Sequence, residues 1–121
     1  MSKLLTEKDF KKYLKNTDFG TQLEFFGEQK TEITKQSIYV FEIPKLRHNY
    51  SIVFTIYMTS QFNSNEENNL EYKTYKGSED ICFNGIYRCS NFSQTVSVMK
   101  KIEKAVESLA EDCHRITGCA N

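Results

Sequence analysis

The sequence predicts an α+β fold: an antiparallel sheet of four to five strands with a short N-terminal helix and a long C-terminal amphipathic helix. Apolar residues recur every three or four positions only near the two ends of the chain, whereas a period of two fills the middle. Short turn-forming stretches separate the alternating segments, which favours antiparallel pairing of neighbours. Because 121 residues fit one core, we expect residues 1–121 to form a single domain.

The first helix is expected over about residues 7 to 15. Thr6 is suited to cap it, and Phe10, Tyr13 and Leu14 fall on one face. The other face carries four lysines at helical spacing, which we call the lysine stripe: Lys8, Lys11, Lys12 and Lys15. Such a stripe is typical of a solvated face, and it also suits contact with phosphates or an acidic partner.

Three strands are expected next. Residues 21–26 and 32–43 alternate and predict a hairpin whose turn is GEQK, residues 27–30. Pro44 ends the second strand. The segment YSIVFTIYMTSQF, residues 50–62, is apolar on both faces, which places it at the centre of the sheet.

The second half of the sheet is less regular. Residues 63–69, NSNEENN, have no apolar side chain and predict an exposed loop, after which residues 70–76 alternate again. GSED then turns the chain into residues 81–89. Asn84-Gly85 within that segment is compatible with a tight hairpin turn or with a bend in one longer strand, and the sequence leaves both open.

The final helix is expected over about residues 94 to 117, with Ser93 or Asn91 as its cap and Gly118 at its end. Its stripe consists of Met99, Ile102, Val106, Leu109, Cys113 and Ile116. Val98 and Ala105 broaden the stripe, which favours a helix lying on a sheet. A helix of this length spans roughly 36 Å against about 26 Å for an eight-residue strand. Packing on the core alone is the leading interpretation of this helix. The alternative is that one end overhangs and offers an apolar tip suited to partner docking or to a homodimer through the C-terminal helix.

Composition excludes several classes of function. The 16 basic and 16 acidic residues cancel, so no global field draws the chain to nucleic acid or to a membrane, and no apolar run reaches the roughly 18 residues of a membrane span. We expect a cytoplasmic protein that does not contact a membrane. Six residues separate Cys82 from Cys89 and five separate Cys113 from Cys119, unlike the tight pairs of structural zinc sites. Free thiols, no metal and no cofactor are therefore expected.

Catalytic groups are few. His48 could pair with the thiol of Cys82 or Cys89, but no glycine-rich elbow precedes either cysteine, and cysteines within strands are usually small buried residues. The five glycines are scattered, so no phosphate-cradling loop is present in the sequence. We therefore expect a protein without enzymatic activity.

The leading hypothesis is a small, non-enzymatic intracellular binding protein, of the kind that phages and mobile elements use to inhibit a host defence complex by occluding its surface in the host cytoplasm. Its partner is expected to be an acidic protein or a nucleic-acid-bound complex, and direct contact with nucleic acid is left open. Its partner surface is expected on the lysine stripe, with Lys45 and Arg47 as neighbours.

Two alternatives belong to other classes. In the first, a nucleotide or phosphate ligand binds in a pocket formed by Arg47, His48, Arg88, Tyr57 and Tyr72. In the second, the chain is a secretion-type chaperone. Such chaperones usually carry a helix midway through the sheet, where NSNEENN stands in this chain.

Overall fold

The computed structural model describes residues 7–15, 19–20, 23–31, 36–58 and 67–116. The elements in chain order are α1 (Glu7–Leu14), β1 (Glu24–Thr31), β2 (Gln36–Ile43), a 3-10 turn (Arg47–Asn49), β3 (Tyr50–Met58), β4 (Asn68–Lys76), β5 (Glu79–Cys89) and α2 (Phe92–Ile116). The predicted α+β fold is confirmed. None of the described helices is long and apolar enough to cross a membrane.

The sheet is a five-stranded antiparallel meander in the order β1-β2-β3-β4-β5. The strand β3 lies at its centre, as its two apolar faces predict. Burial alternates along β3 from Tyr50 to Met58, because successive side chains of a strand point to opposite faces. We call the face that bears the buried set the inner face.

Both helices pack on the inner face. Phe10 of α1 stacks on Phe41 of β2, with 3.7 Å between ring centroids, and meets the ring of Phe92 in α2 edge to face at 5.3 Å. Helix α2 buries Phe92, Thr95, Val96, Met99, Ile102, Glu103, Val106 and Ala110. One layer of helices on one layer of sheet therefore encloses the core.

Helix α2 begins at an asparagine cap. The backbone N–H of Gln94 donates to Asn91 Oδ1 at 2.8 Å, and Gln94 Oε1 accepts from the backbone N–H of Ser90 at 2.6 Å. This reciprocal pair satisfies amide groups that the first turn leaves free. Of the two predicted caps Asn91 is correct, and the helix starts two residues earlier than expected. Gly118 lies outside the described residues.

The buried stripe of α2 differs from the predicted one toward the C-terminus. Leu109 is only half-buried and Ile116 is 80% exposed, whereas Ala110 is fully buried. A straight helix rotates by 100° per residue, so the row that begins at Met99 and Val106 continues to the small Ala110. The last turn of α2 thus presents an exposed apolar side chain, and Cys119 lies outside the described residues.

Two predicted connections were placed wrongly. The segment 27–30 is not a turn, because β1 continues through it and pairs with β2 from Gly27 opposite Val40 to Thr31 opposite Gln36. A bulge lies between Phe25 and Gly27, and the connection to β2 falls in residues 32–35, outside the described part. The segment 63–69 is not wholly a loop, since β4 begins at Asn68; residues 63–66 are not described.

The choice left open for residues 81–89 resolves as one bent strand. Lys73 pairs with Asn84 but Tyr75 pairs with Asp80, so β5 carries two extra residues at the bend. Cys82 there has φ +61°, and its N–H donates to Asp80 Oδ1 at 2.7 Å. Gly85 is needed for a different reason than a turn: a Cβ atom there would lie 3.2 Å from Cε1 of Tyr72, whose ring covers the glycine.

Candidate functional site

The two histidines of the chain, 66 positions apart in sequence, stack on each other. His48 lies in the 3-10 turn that leads into β3, and His114 lies in the last turn of α2. Their ring centroids are 3.8 Å apart and their planes differ by 14°. We call His48, His114 and the residues around them, Arg47, Tyr50, Glu111 and Cys113, the turn cluster. No sequence signal identifies this pairing, because it depends on where α2 ends over the sheet.

Glu111 joins the turn to the helix. One of its carboxylate oxygens lies 2.8 Å from His48 Nε2 and accepts from Arg47 Nη1 at 3.3 Å. These two hydrogen bonds, the one from His48 first, lower the pKa of the Glu111 carboxyl below its usual value. Because a carboxylate only accepts hydrogen bonds, Nε2 of His48 carries a proton in this arrangement.

The backbone of the turn is unusual. His48 and Asn49 have φ of 58° and 68°, the left-handed region that residues other than glycine rarely occupy. The N–H of Gly77 donates to the carbonyl of Asn49 at 2.8 Å, and the N–H of Leu46 donates to the carbonyl of Tyr50 at 2.9 Å. Left-handed residues of this kind cost roughly 1 kcal/mol or more each. The two backbone hydrogen bonds offset part of that cost, and the turn that they stabilise holds the imidazole of His48 against Glu111.

The turn cluster combines an ion pair between Arg47 and Glu111 with hydrogen bonds to Glu111 and Tyr50. Burial, and after it a hydrogen bond with Cys113, raise the pKa of Tyr50. The imidazole of His48 faces Glu111. Among the described residues no group of three or more His, Cys, Asp or Glu side chains is arranged to hold a metal ion.

The thiol and imidazole pair that the sequence disfavours is not formed by Cys89. Cys89 of β5 pairs with Asn68 of β4, which pairs with Met58 at the C-terminal end of β3. His48 lies just before the N-terminal end of β3, at the opposite end of the sheet. Cys89 is fully buried, and burial raises the pKa of its thiol, which disfavours the reactive thiolate. Cys82 is exposed at the bend of β5.

The predicted ligand pocket does not converge. Arg88 lies at the end of β5 remote from the turn cluster and donates to both carboxylate oxygens of Glu67, at 2.7 and 3.1 Å. Arg47 and His48 are held by Glu111 at the other end of the sheet. Tyr57 and Tyr72 occupy opposite faces: the Tyr57 hydroxyl donates to Glu71 at 3.1 Å, whereas Tyr72 is buried on the inner face.

The predicted partner surface is exposed. Phe10 anchors α1 to the core, so the opposite side of α1 faces away from the sheet. The side chains of the lysine stripe, Lys8, Lys11, Lys12 and Lys15, are all exposed. Lys45 is exposed too, and Arg47 is exposed but paired with Glu111. A binding role for these residues stays a prediction.

The sheet face opposite the helices is a second surface, which we call the outer face. Its uncharged side chains include Ile38, Val40, Val53, Thr55 and Tyr57 on β2 and β3, and Ile86 on the edge strand β5. The first five are half-buried among their strand neighbours, and Ile86 is 65% exposed. No described helix packs on this face. Four charged residues lie around these side chains: Glu24, Glu42, Lys73 and Arg88. A fifth, Glu71 of β4, lies between Thr55 and Ile86.

One pair at the rim of the outer face has like charges. Glu24 of β1 stands directly opposite Glu42 of β2. Burial and then the charge of Glu24 raise the pKa of the Glu42 carboxyl. Like charges directly opposite in a sheet are destabilising, so this corner of the face favours a cation.

Comparison with known proteins identifies no relative: no protein-family model, curated protein sequence or solved structure matches this chain.

Proposed function

We propose that the chain is a non-enzymatic binding protein that docks another protein on the outer face of its sheet. The observation that carries this proposal is the one-sided packing: α1 and α2 both cover the inner face, and no described element covers the other. β-Branched side chains and a tyrosine occupy the centre of the open face. The contiguous part of this surface lies on β2 and β3, where Ile38, Val40, Val53, Thr55 and Tyr57 are neighbours. An apolar patch with polar residues around it is typical of protein–protein interaction sites.

A protein suits this surface better than a small ligand. Small-molecule sites are concave and bury most of their ligand. The outer face is instead a sheet surface built from neighbouring strands in register, with Val40, Thr55, Glu71 and Ile86 in one row across β2, β3, β4 and β5. Its apolar centre and charged rim match the usual anatomy of an interface between folded proteins.

The charges specify the partner further. Glu24 and Glu42 repel each other, and a lysine or arginine of the partner placed between them would relieve that repulsion. We therefore expect a partner with an apolar patch that has a basic residue at its edge. This differs from the acidic partner expected for the lysine stripe, so the two surfaces make opposite predictions about charge.

The finer form of the proposal comes from the sequence. An inhibitor encoded by a phage or mobile element and acting in the host cytoplasm remains our hypothesis for its biological role. A homodimer through the C-terminal helix remains a prediction too, and the exposed Ile116 supports it. The chaperone alternative depended on the segment between β3 and β4, whose residues 59–66 lie outside the described part. Because the residues of the ligand pocket lie apart, we do not propose that alternative.

A matched pair of variants tests the outer face. Thr55→Arg places a bulky charge at its centre, and Ser97→Arg makes a similar change on the exposed side of α2. Each variant and the parent serve as bait in a lysate of the source organism, with captured proteins identified by mass spectrometry. We expect a protein that is retained by the parent and by Ser97→Arg and is lost from Thr55→Arg. Equal capture by all three baits would refute docking on this face.

The charge argument has its own test on the protein so identified. Glu42→Gln removes one of the two repelling charges and should weaken binding, more at low salt than at high salt. Glu107→Gln on α2 is the control, because it removes an acid away from the outer face. A partner that binds Glu42→Gln more tightly than the parent would show that no cation occupies this corner.

A further inference from the structure

One edge of β5 is not hydrogen-bonded to any described strand. β5 is the last strand of the sheet, so only its β4 side is paired. Residues 84–89 pair one to one with residues 68–73 and form a regular stretch of six. Alternate residues of such a strand direct their N–H and C=O groups away from the sheet, and only another extended strand satisfies that pattern. No described segment of the chain pairs there.

Apolar side chains accompany this edge. Among the described residues, four large apolar side chains are exposed, and two of them are neighbours on β5: Ile86 at 65% and Tyr87 at 46%. They point to opposite faces of the sheet. Strand pairing would cover one on each side.

The usual protections of an edge are missing from this stretch. Proteins blunt open edges with proline, lysine or a bulge. Residues 84–89 contain no proline or lysine, and the bend of β5 lies before them, at residues 81–83. Their one charge, Arg88, is held by Glu67. On the opposite edge, by contrast, the bulge of β1 lies beside its exposed Phe26.

We propose that two copies of this chain associate through antiparallel pairing of their β5 edges, with Ile86 at the two-fold axis. Identical edges pair antiparallel about such an axis, so each contact forms twice. Ile86 then faces Ile86 of the second copy on the outer side of the sheet. On the inner side Tyr87 lies across from Gly85 of the second copy, beside the Tyr72 ring that covers that glycine.

Electrostatics permit this register. Arg88 faces the neutral Asn84 of the second copy, so no like charges oppose each other. The formal net charge of the chain is zero, so the two copies do not repel at long range. A second copy also supplies an edge of the same length and apolar character. The β5 edge and the C-terminal helix are alternative dimer surfaces, and a variant of the β5 edge distinguishes them.

Sedimentation velocity over a range of protein concentrations tests the pairing. The parent should shift from monomer to dimer as concentration rises. Ile86→Lys, at an exposed position, should remain a monomer at every concentration and should melt like the dilute parent. Phe26→Lys makes the same kind of change on the opposite edge and should still dimerise. A parent that stays monomeric, or an Ile86→Lys variant that dimerises, overturns the proposal.

Cross-linking tests the register. Opposite residues of an antiparallel pair have Cα atoms about 4.5 to 5.5 Å apart, within the range that a disulfide bridges. In a chain whose native cysteines are replaced, Ile86→Cys should form a disulfide-linked dimer under mild oxidation far faster than Phe26→Cys. Equal rates would refute the register. Thr55→Arg should leave the dimer intact, so this proposal and docking on the outer face can fail separately.

Discussion

Replacing Phe10 by alanine should undock α1. The ring of Phe10 is 99% buried, because it lies between Phe41 and Phe92. Burial of a phenylalanine contributes about 1.5 to 3 kcal/mol, and each aromatic pair adds about 0.5 to 1.5 kcal/mol. The cavity adds to this loss, so we expect Phe10→Ala to lower the free energy of unfolding by about 3 to 5 kcal/mol. An eight-residue helix is marginal in water without such an anchor.

Urea denaturation and amide hydrogen exchange measure the two consequences separately. Phe10→Ala should lower the urea midpoint and should also remove exchange protection from α1 while β3 stays protected. Leu14→Ala, at a half-buried position of the same helix, is the control and should cost less than half as much. A loss below about 1 kcal/mol for Phe10→Ala would show that α1 is not anchored through this ring.

Three further predictions concern α2, the turn cluster and the lysine stripe. Val106→Asp places a charge at a fully buried position and should lower the free energy of unfolding by about 4 kcal/mol or more, whereas Leu109→Asp should lower it by roughly 1 to 2 kcal/mol. Equal urea midpoints for the two variants would refute the observed stripe. The pKa of Glu111 is lowered by folding, so the stabilising effect of its carboxylate is present above pH 4.5 and is lost as pH falls through the folded pKa. The difference in unfolding free energy between the parent and Glu111→Gln should therefore disappear in acid. A difference that persists in acid would contradict this role. Changing the lysine stripe, Lys8, Lys11, Lys12 and Lys15, to glutamine should leave the melting temperature nearly unaltered. Binding of an acidic partner should weaken, chiefly through slower association. An affinity that is unchanged at low and at high salt would identify the stripe as an ordinary solvated face.

The sequence predicts the elements of this fold well, because each has its own period. The alternation of residues 50–58 is preserved in the burial of β3, and the period near 3.6 is preserved in α2 as far as Val106. Sequence-based prediction fails where the same residue type suits more than one local structure. Gly27 and Gly85 both lie in stretches that resemble turns, yet Gly27 follows a bulge within β1 and Gly85 makes room for the ring of Tyr72.

The arrangement of candidate sites depends on contacts that no local pattern encodes. His48 and His114 meet because α2 ends over the turn before β3, and that position is set by the packing of the whole helix. β4 begins at Asn68, within a segment without apolar residues, and the buried Asn68 side chain accepts from the Thr95 hydroxyl at 2.6 Å. Such partners lie tens of residues apart in sequence, so periodicity does not reveal them.

Meander topology links the two proposed surfaces. A two-fold axis between antiparallel β5 edges stands perpendicular to the sheet, so both copies keep their helices on one side and their outer faces on the other. The dimer would then present two outer faces in one continuous surface. A partner fixed on a support can be held by both at once, whereas a partner free in solution meets one face at a time. We therefore expect the apparent affinity for the immobilised partner to rise steeply as the chain dimerises, while the affinity measured with free partner stays constant. A constant apparent affinity on the support, measured below and above the dimer transition, would show that the two outer faces do not act together.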